Sequence, residues 1–159
     1  MSMSFNPLET AEGSDFPGCR QLSIFLENRV GQLLRLTRLL EEEDIRILGL
    51  SVDAAVDYAI VRMVVSDPDA AQDTFVQNGF AVSDCELLIV ELPANRRGIL
   101  NVCAALISAE VNINYVYPIW SDSSHGQAIA VQVDNLGQAS TVLHEKGFRV
   151  VSPSELRGE

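Results

Sequence analysis

Apolar and polar residues change period along this chain, and each change marks an element. From 20 to 27, Leu22, Ile24 and Leu26 alternate with Ser23 and Glu27, Phe25 being the exception; a period of two indicates a half-buried strand. From about 31 to 43 the spacing lengthens, and Leu33, Leu36 and Leu40 fall on one face of a helix at i, i+3 and i+7. The run Glu41-Glu42-Glu43-Asp44 at its end opposes the helix dipole and belongs in water. Strands are predicted at 46–54 and 57–65, joined by a short turn at Ala55-Val56. Asp67 then reads as an N-cap with Pro68 at the first helical position, Gly79 as the glycine that ends this helix, and Phe80 as the start of a fourth strand.

The second half runs through the same order: strand 87–92, helix 96–109, strands near 112–119 and 127–133, helix 137–146 and strand 147–152. Its residues echo the first. LSIFLENRVGQL (22–33) is matched by LIVELPANRRGIL (88–100), with Asn28 answering to Asn95 and Gly31 to Gly98, both 67 residues on (95 − 28 and 98 − 31). Ile45-Arg46-Ile47 returns as Val111-Asn112-Ile113, and Asn78-Gly79-Phe80 as Lys146-Gly147-Phe148. The period is too long for a solenoid, so the chain is read as a duplicated small domain. The first copy covers 19–86 and the second 87–152, tightly joined; residues 1–18 form a flexible Ser-, Pro- and Gly-rich lead-in and 153–159 a polar tail.

Strand, helix, strand, strand, helix, strand is the split βαβ plan, so the fold class is α+β: two ferredoxin-like βαββαβ units, each an antiparallel sheet with its helices on one face. The other face is left bare. Two copies can hide these faces against each other or join edge to edge into eight strands, and the same contacts between chains would give a homodimer.

Composition narrows the function. A net charge of −11 argues against nucleic acid, which needs a basic footprint, and against anionic membrane surfaces. No apolar run reaches the ~20 residues of a membrane span. The start, MSMSFNPLETAEGSDFPG, lacks a basic region before an apolar stretch, so a cytoplasmic protein is expected. Cys19, Cys85 and Cys103 are odd in number and without CxxC spacing, which suits buried free thiols. His125, in a polar turn, and His144, on a helix face, have no acidic partners at metal spacing, so no metal site is expected. Ser23, Ser51 and Ser108 lack the pattern of a nucleophile, and no phosphate loop is present. Catalytic residues and cofactors are therefore expected to be none. An RNA-recognition domain would need paired aromatics on a basic sheet, and a metallochaperone CxxC where NRVG stands. Tyr115 and Tyr117 share a strand face and read as core or interface packing.

The turns remain. Asn28-Arg29-Val30-Gly31 and Asn95-Arg96-Arg97-Gly98 each precede a helix, where backbone N–H groups lack intrahelical partners and the dipole is positive. That combination suits a carboxylate; Gly admits a ligand to the backbone, and Asn offers both donors and an acceptor to a zwitterion. The competing reading is structural, with Asn28 and Asn95 capping the helices.

Asn-x-x-Gly-x-Leu between first strand and first helix, in a βαββαβ order and present twice, resembles the ACT domain, a regulatory module that binds small molecules, usually amino acids. The two copies cover roughly 20–152, and the first, LSIFLENRVGQLLRLTRLL, looks most like the ACT domain of the acetolactate synthase regulatory subunit. Where that family often has Pro before the Gly, Val30 and Arg97 stand. The resemblance implies a ligand between paired domains, touching one domain's turn and the other's second strand. That would set Asn28 and Gly31 against Asn112, suited to a small neutral amino acid. It would set Asn95 and Gly98 against Arg46, whose guanidinium favours an acidic ligand or fills the pocket. The two sites are therefore expected to be unequal, with the Asn112 site the better binder. The implied function is a non-catalytic regulator of a separate metabolic enzyme; the alternative is a pairing module whose pockets bind nothing.

Overall fold

One long strand serves both halves of the chain. The structure, a computed structural model, describes residues 18–120 and 126–158; of the lead-in expected over 1–18, all but Gly18, which opens the first strand, lies outside them, as does the turn carrying His125. Its elements are β1 (Gly18–Glu27), α1 (Gln32–Glu42), β2 (Ile47–Ala54), β3 (Tyr58–Val65), α2 (Pro68–Gln77) and β4 (Ala81–Glu91). They continue with α3 (Gly98–Ser108), β5 (Ile113–Ile119), β6 (Ala128–Val133), α4 (Leu136–Glu145), β7 (Val150–Val151) and α5 (Pro153–Arg157). The sequence pattern separates a strand starting at Phe80 from another at 87–92. The structure joins them as β4, whose first part pairs with β1 (Ala81↔Phe25 to Leu88↔Gly18) and whose second part pairs with β6 and β7.

All pairings are antiparallel. The order β1-β3-β2-β5-β6-β4-β7, with β1 also bonded to β4, closes six strands into a ring. The seam between β2 and β5 is narrow: Gly49 pairs with Ile119, and the Trp120 N–H donates to the Leu48 carbonyl at 2.6 Å. A Cβ at Gly49 would lie 2.4 Å from Ile119 Cδ1 and 3.2 Å from the Pro118 carbonyl, so the seam needs glycine.

The apolar residues form three layers. Leu22, Ile24, Val61 and Met63 pack under Leu36, Leu40, Ala71 and Phe75 of α1 and α2. Leu88, Val90, Ile129 and Val131 pack under Val102, Leu106, Ala139 and Leu143 of α3 and α4. Inside the ring of strands lie Cys19, Leu48, Val64, Leu87, Ile89, Tyr117 and Ile119. Alternate residues of β4 thus face different layers, which is why Leu87-Leu88-Ile89-Val90 is apolar throughout and each side chain is 0% exposed. Burial of each contributes about 1.5–3 kcal/mol. The face of the sheet away from the helices is hidden inside the ring, within one chain.

Caps follow the sequence in some places and depart from it in others. The Asp67 side chain accepts from the Ala70 N–H with Pro68 in the first turn, and Gly79 has φ +83°. The last strand, expected over 147–152, shrinks to Val150–Val151. The expected polar tail forms α5, capped by Ser152 and Glu155 in a capping box with Leu156 against the layer inside the ring. Cys19 is buried, whereas Cys85 and Cys103 are half-buried.

Candidate functional site

The two glycine turns are not copies in three dimensions. The helices after them align 66 residues apart (98 − 32 and 108 − 42), as do Asp44 and Glu110, both with φ 56°. The sequence match of Gly31 with Gly98 is one residue longer. Gly31 is the N-cap of α1, outside the helix with φ +89°, and no atom lies within 4 Å of where its Cβ would be. Gly98 is the first residue of α3, buried, and a Cβ there would meet the Pro93 carbonyl at 3.1 Å and Leu92 Cβ at 3.5 Å. Backbone conformation requires the first glycine, packing the second.

Neither asparagine caps its helix in the ordinary way. Asn28 Nδ2 donates to the Ala55 carbonyl at 2.7 Å, and its backbone N–H to Asp57 at 3.0 Å, tying the turn to the β2–β3 connection. Asn95 Oδ1 accepts from the Arg97 N–H at 2.9 Å, an Asx turn ahead of the helix. No side chain caps α1 or α3, whereas Asp67, Asn135 and Ser152 cap α2, α4 and α5. The first N–H of each of these helices reaches only a backbone carbonyl at 3.4 Å, Gln32 to Arg29 and Gly98 to Asn95, and no side-chain acceptor caps the turn.

The surroundings also differ. Val30 is fully exposed, and the Arg29 guanidinium pairs with Glu27 at 2.7 Å. The second turn borders an open cleft of about 770 Å³, lined by Glu91, Pro93, Asn95, Arg96 and Gln127 with their neighbours. Glu91 anchors a chain of charges: Arg149 reaches it at 3.1 Å and Glu155 at 2.5 Å. The Ser152 N–H and the Arg149 guanidinium hold the Glu155 carboxyl down at about 2.

Of the second-strand residues, Arg46 donates to the Arg157 carbonyl of α5 at 3.2 Å. The Asn112 amide donates to Asn114 at 3.0 Å, and its backbone N–H to the Asp134 carboxylate at 3.0 Å. The structure thus gathers Asn95 and Arg96 around one cleft, and holds Asn28, Arg46 and Asn112 by neighbours of their own.

Sequence reasoning passed over Gln21. Fully buried inside the ring of strands, it accepts from the Tyr117 hydroxyl at 2.6 Å and donates to the Tyr115 hydroxyl at 2.7 Å, while the two aromatic rings stack 6.4 Å apart. Burial pushes the Tyr117 phenol up and the Cys19 thiol to about 11, so both stay protonated at neutral pH. Its alternation with Cys19 and Ser23 was the available signal.

A duplicated α+β unit, with a glycine turn ahead of each unit's first helix, defines the class as a tandem pair of small α+β domains. The chain belongs to the ACT domain pair family, whose model matches residues 18–158. A crystal structure of a Bacteroides thetaiotaomicron protein is similar at 29% identity, covering 92% of this chain and all of that one, with TM-score 0.83. The ligand-free regulatory subunit of aspartate kinase from Thermus thermophilus shares the fold at 12% identity, covering 79% of this chain and 90% of that one, with TM-score 0.58. No curated protein matches the chain.

Proposed function

We propose that this chain is a non-catalytic regulatory protein that binds an amino acid at its NxxG turns. In this reading it comprises two ferredoxin-like units, 19–86 and 87–152, and acts in the cytoplasm as a homodimer on a separate metabolic enzyme. One observation carries the ligand reading: α1 and α3 open without a side-chain cap while the other helices are capped. Uncapped N–H groups at the positive end of a helix suit a carboxylate, and at the second turn Glu91 offers the opposite charge to an ammonium group across the cleft. The cleft favours the Asn95 turn as the stronger site, the reverse of the order expected from Asn112. Residues Arg29, Val30, Gly31, Arg97 and Gly98 shape the turns, and Asn112 and Arg46 would contribute only through rearrangement or a second chain.

A thermal-shift series over the amino acids tests this. A ligand at 100 times its Kd adds ~2.7 kcal/mol of stability, which raises Tm by roughly 5–10 °C for a chain of this size. The shift should vanish in Asn95→Ala and survive in Asn28→Ala. The second reading, a pairing module with no working pocket, is favoured by the engagement of Arg46 and Asn112 within the chain. Silence across all amino acids would establish it instead.

A further inference from the structure

Helices α1 and α3 hold equivalent places in the two halves, and each buries one face: Leu36 and Leu40 in α1, Val102, Ala105 and Leu106 in α3. Their outer faces differ. α1 exposes Leu33 and Leu34 in its first turn and beyond them turns Arg35, Thr37, Arg38 and Glu41 outward, the pattern expected of a surface helix in a chain of charge −11. At the positions 66 residues on, α3 has Asn101, Cys103, Ala104 and Ile107. Of these, Cys103, Ala104 and Ile107 make with Ile99 and Leu100 an apolar stripe along the outer side of the helix, Ile99 being 53%, Leu100 62% and Ile107 68% exposed. Leu33 and Leu34 of α1, also exposed, stand where Ile99 and Leu100 do, but beyond the first turn α1 has Thr37, Arg38 and Glu41 where α3 has Cys103, Ala104 and Ile107, so the core does not require the stripe to continue. A contiguous exposed apolar face of this kind marks an interaction surface.

We infer that α3 is the surface on which a second copy of this chain packs, antiparallel, about a twofold axis near Cys103 and Ala104. The charges at the helix ends select this occupant. Arg96 and Arg97 precede α3 and Glu110 follows it, all exposed. An antiparallel pair sets the arginines of each copy beside Glu110 of the other and opposes the two helix dipoles, whereas a parallel pair would align like charges. Eleven residues span about 16 Å, so both ends meet while the stripes overlap along their full length. Ala104, small and central, allows the axes to approach to about 8 Å. The inference names the surface of the proposed homodimer and rests on that reading only for the second copy; no bound amino acid is needed.

Sedimentation velocity without any amino acid provides the test. The wild-type chain should sediment at twice its mass. Ile107→Glu should raise the dimer Kd roughly 100-fold, since each copy would bury a carboxylate against the apolar stripe about one turn from the axis, with the far-UV circular dichroism of the monomer unchanged. Arg97→Glu should weaken the dimer and Glu110→Arg in the same chain restore it. A short bis-maleimide should join two wild-type copies and fail with Cys103→Ser. A wild-type chain that remains monomeric, or a dimer indifferent to Ile107→Glu, would overturn the inference. Either result leaves the thermal-shift outcome with amino acids to be read separately.

Discussion

Replacing Gln21 with Leu should destabilise the protein well beyond what its volume suggests. The side chain is 0% exposed and joins two strands: β1, which carries it, and β5, through Tyr115 and Tyr117. Leu keeps the volume but leaves the Tyr117 hydroxyl, on a residue only 5% exposed, without its acceptor. An unsatisfied buried hydroxyl costs about 1–3 kcal/mol. Tyr115 is half-buried, so water can replace its lost donor, and about 1 kcal/mol covers that loss. The sum is about 2–4 kcal/mol, which lowers Tm by roughly 5–15 °C. Tyr117→Phe alone should cost a similar amount by stranding the Gln21 oxygen. The double variant Gln21→Leu, Tyr117→Phe removes both polar partners at once and should cost much less than the sum of the singles. Urea denaturation of the four proteins gives the coupling directly, expected at about 1–3 kcal/mol. Strict additivity, or a Gln21→Leu protein as stable as wild type, would refute the assignment of this network as the polar tie across the ring.

The glycines at 31 and 98 should respond oppositely to asparagine. Gly31→Ala costs about 1–2 kcal/mol through left-handed backbone strain and Gly31→Asn less, since Asn tolerates that region; Gly98→Ala presses on the Pro93 carbonyl and Gly98→Asn should be worse, both read by thermal unfolding. Glu155 predicts acid lability of α5: its folded pKa of about 2 lies below the ordinary 4.5, so its contribution is complete above that value and is lost as pH falls through 4.5 towards 2. Amide exchange at Leu156, whose N–H donates to the Ser152 carbonyl, should accelerate across that window, and constant protection down to pH 2 would contradict it.

Periodicity made the order of elements legible because each amphipathic face records which side the core lies on. Asp67 and Gly79 were readable for the same local reason: their partners are within four residues. β4 was not, because Ser83, Asp84 and Glu86 look like a break between two strands, although the backbone there stays paired with β1. Asn28 has the composition of a cap, but its amide is drawn to carbonyls 27 and 28 residues away. Gln21 finds its partners 94 and 96 residues along the chain, at a distance no local pattern encodes. By contrast Ser152, Pro153 and Glu155 formed a helix start that was present in the sequence and passed over as tail. The one-residue slip between the glycine motif and the helix it precedes is also in the sequence, whose matches lie 67 residues apart at the glycines and 66 at Ile45 and Val111.

Because β4 is held by β1 along one stretch and by β6 and β7 along the next, it works as a splint across the molecule. Any tilt imposed on it from one side must be met by the other, so the halves have no independent route to change shape. Cutting the chain at residue 86 would not liberate two modules; it would leave each with a torn flank.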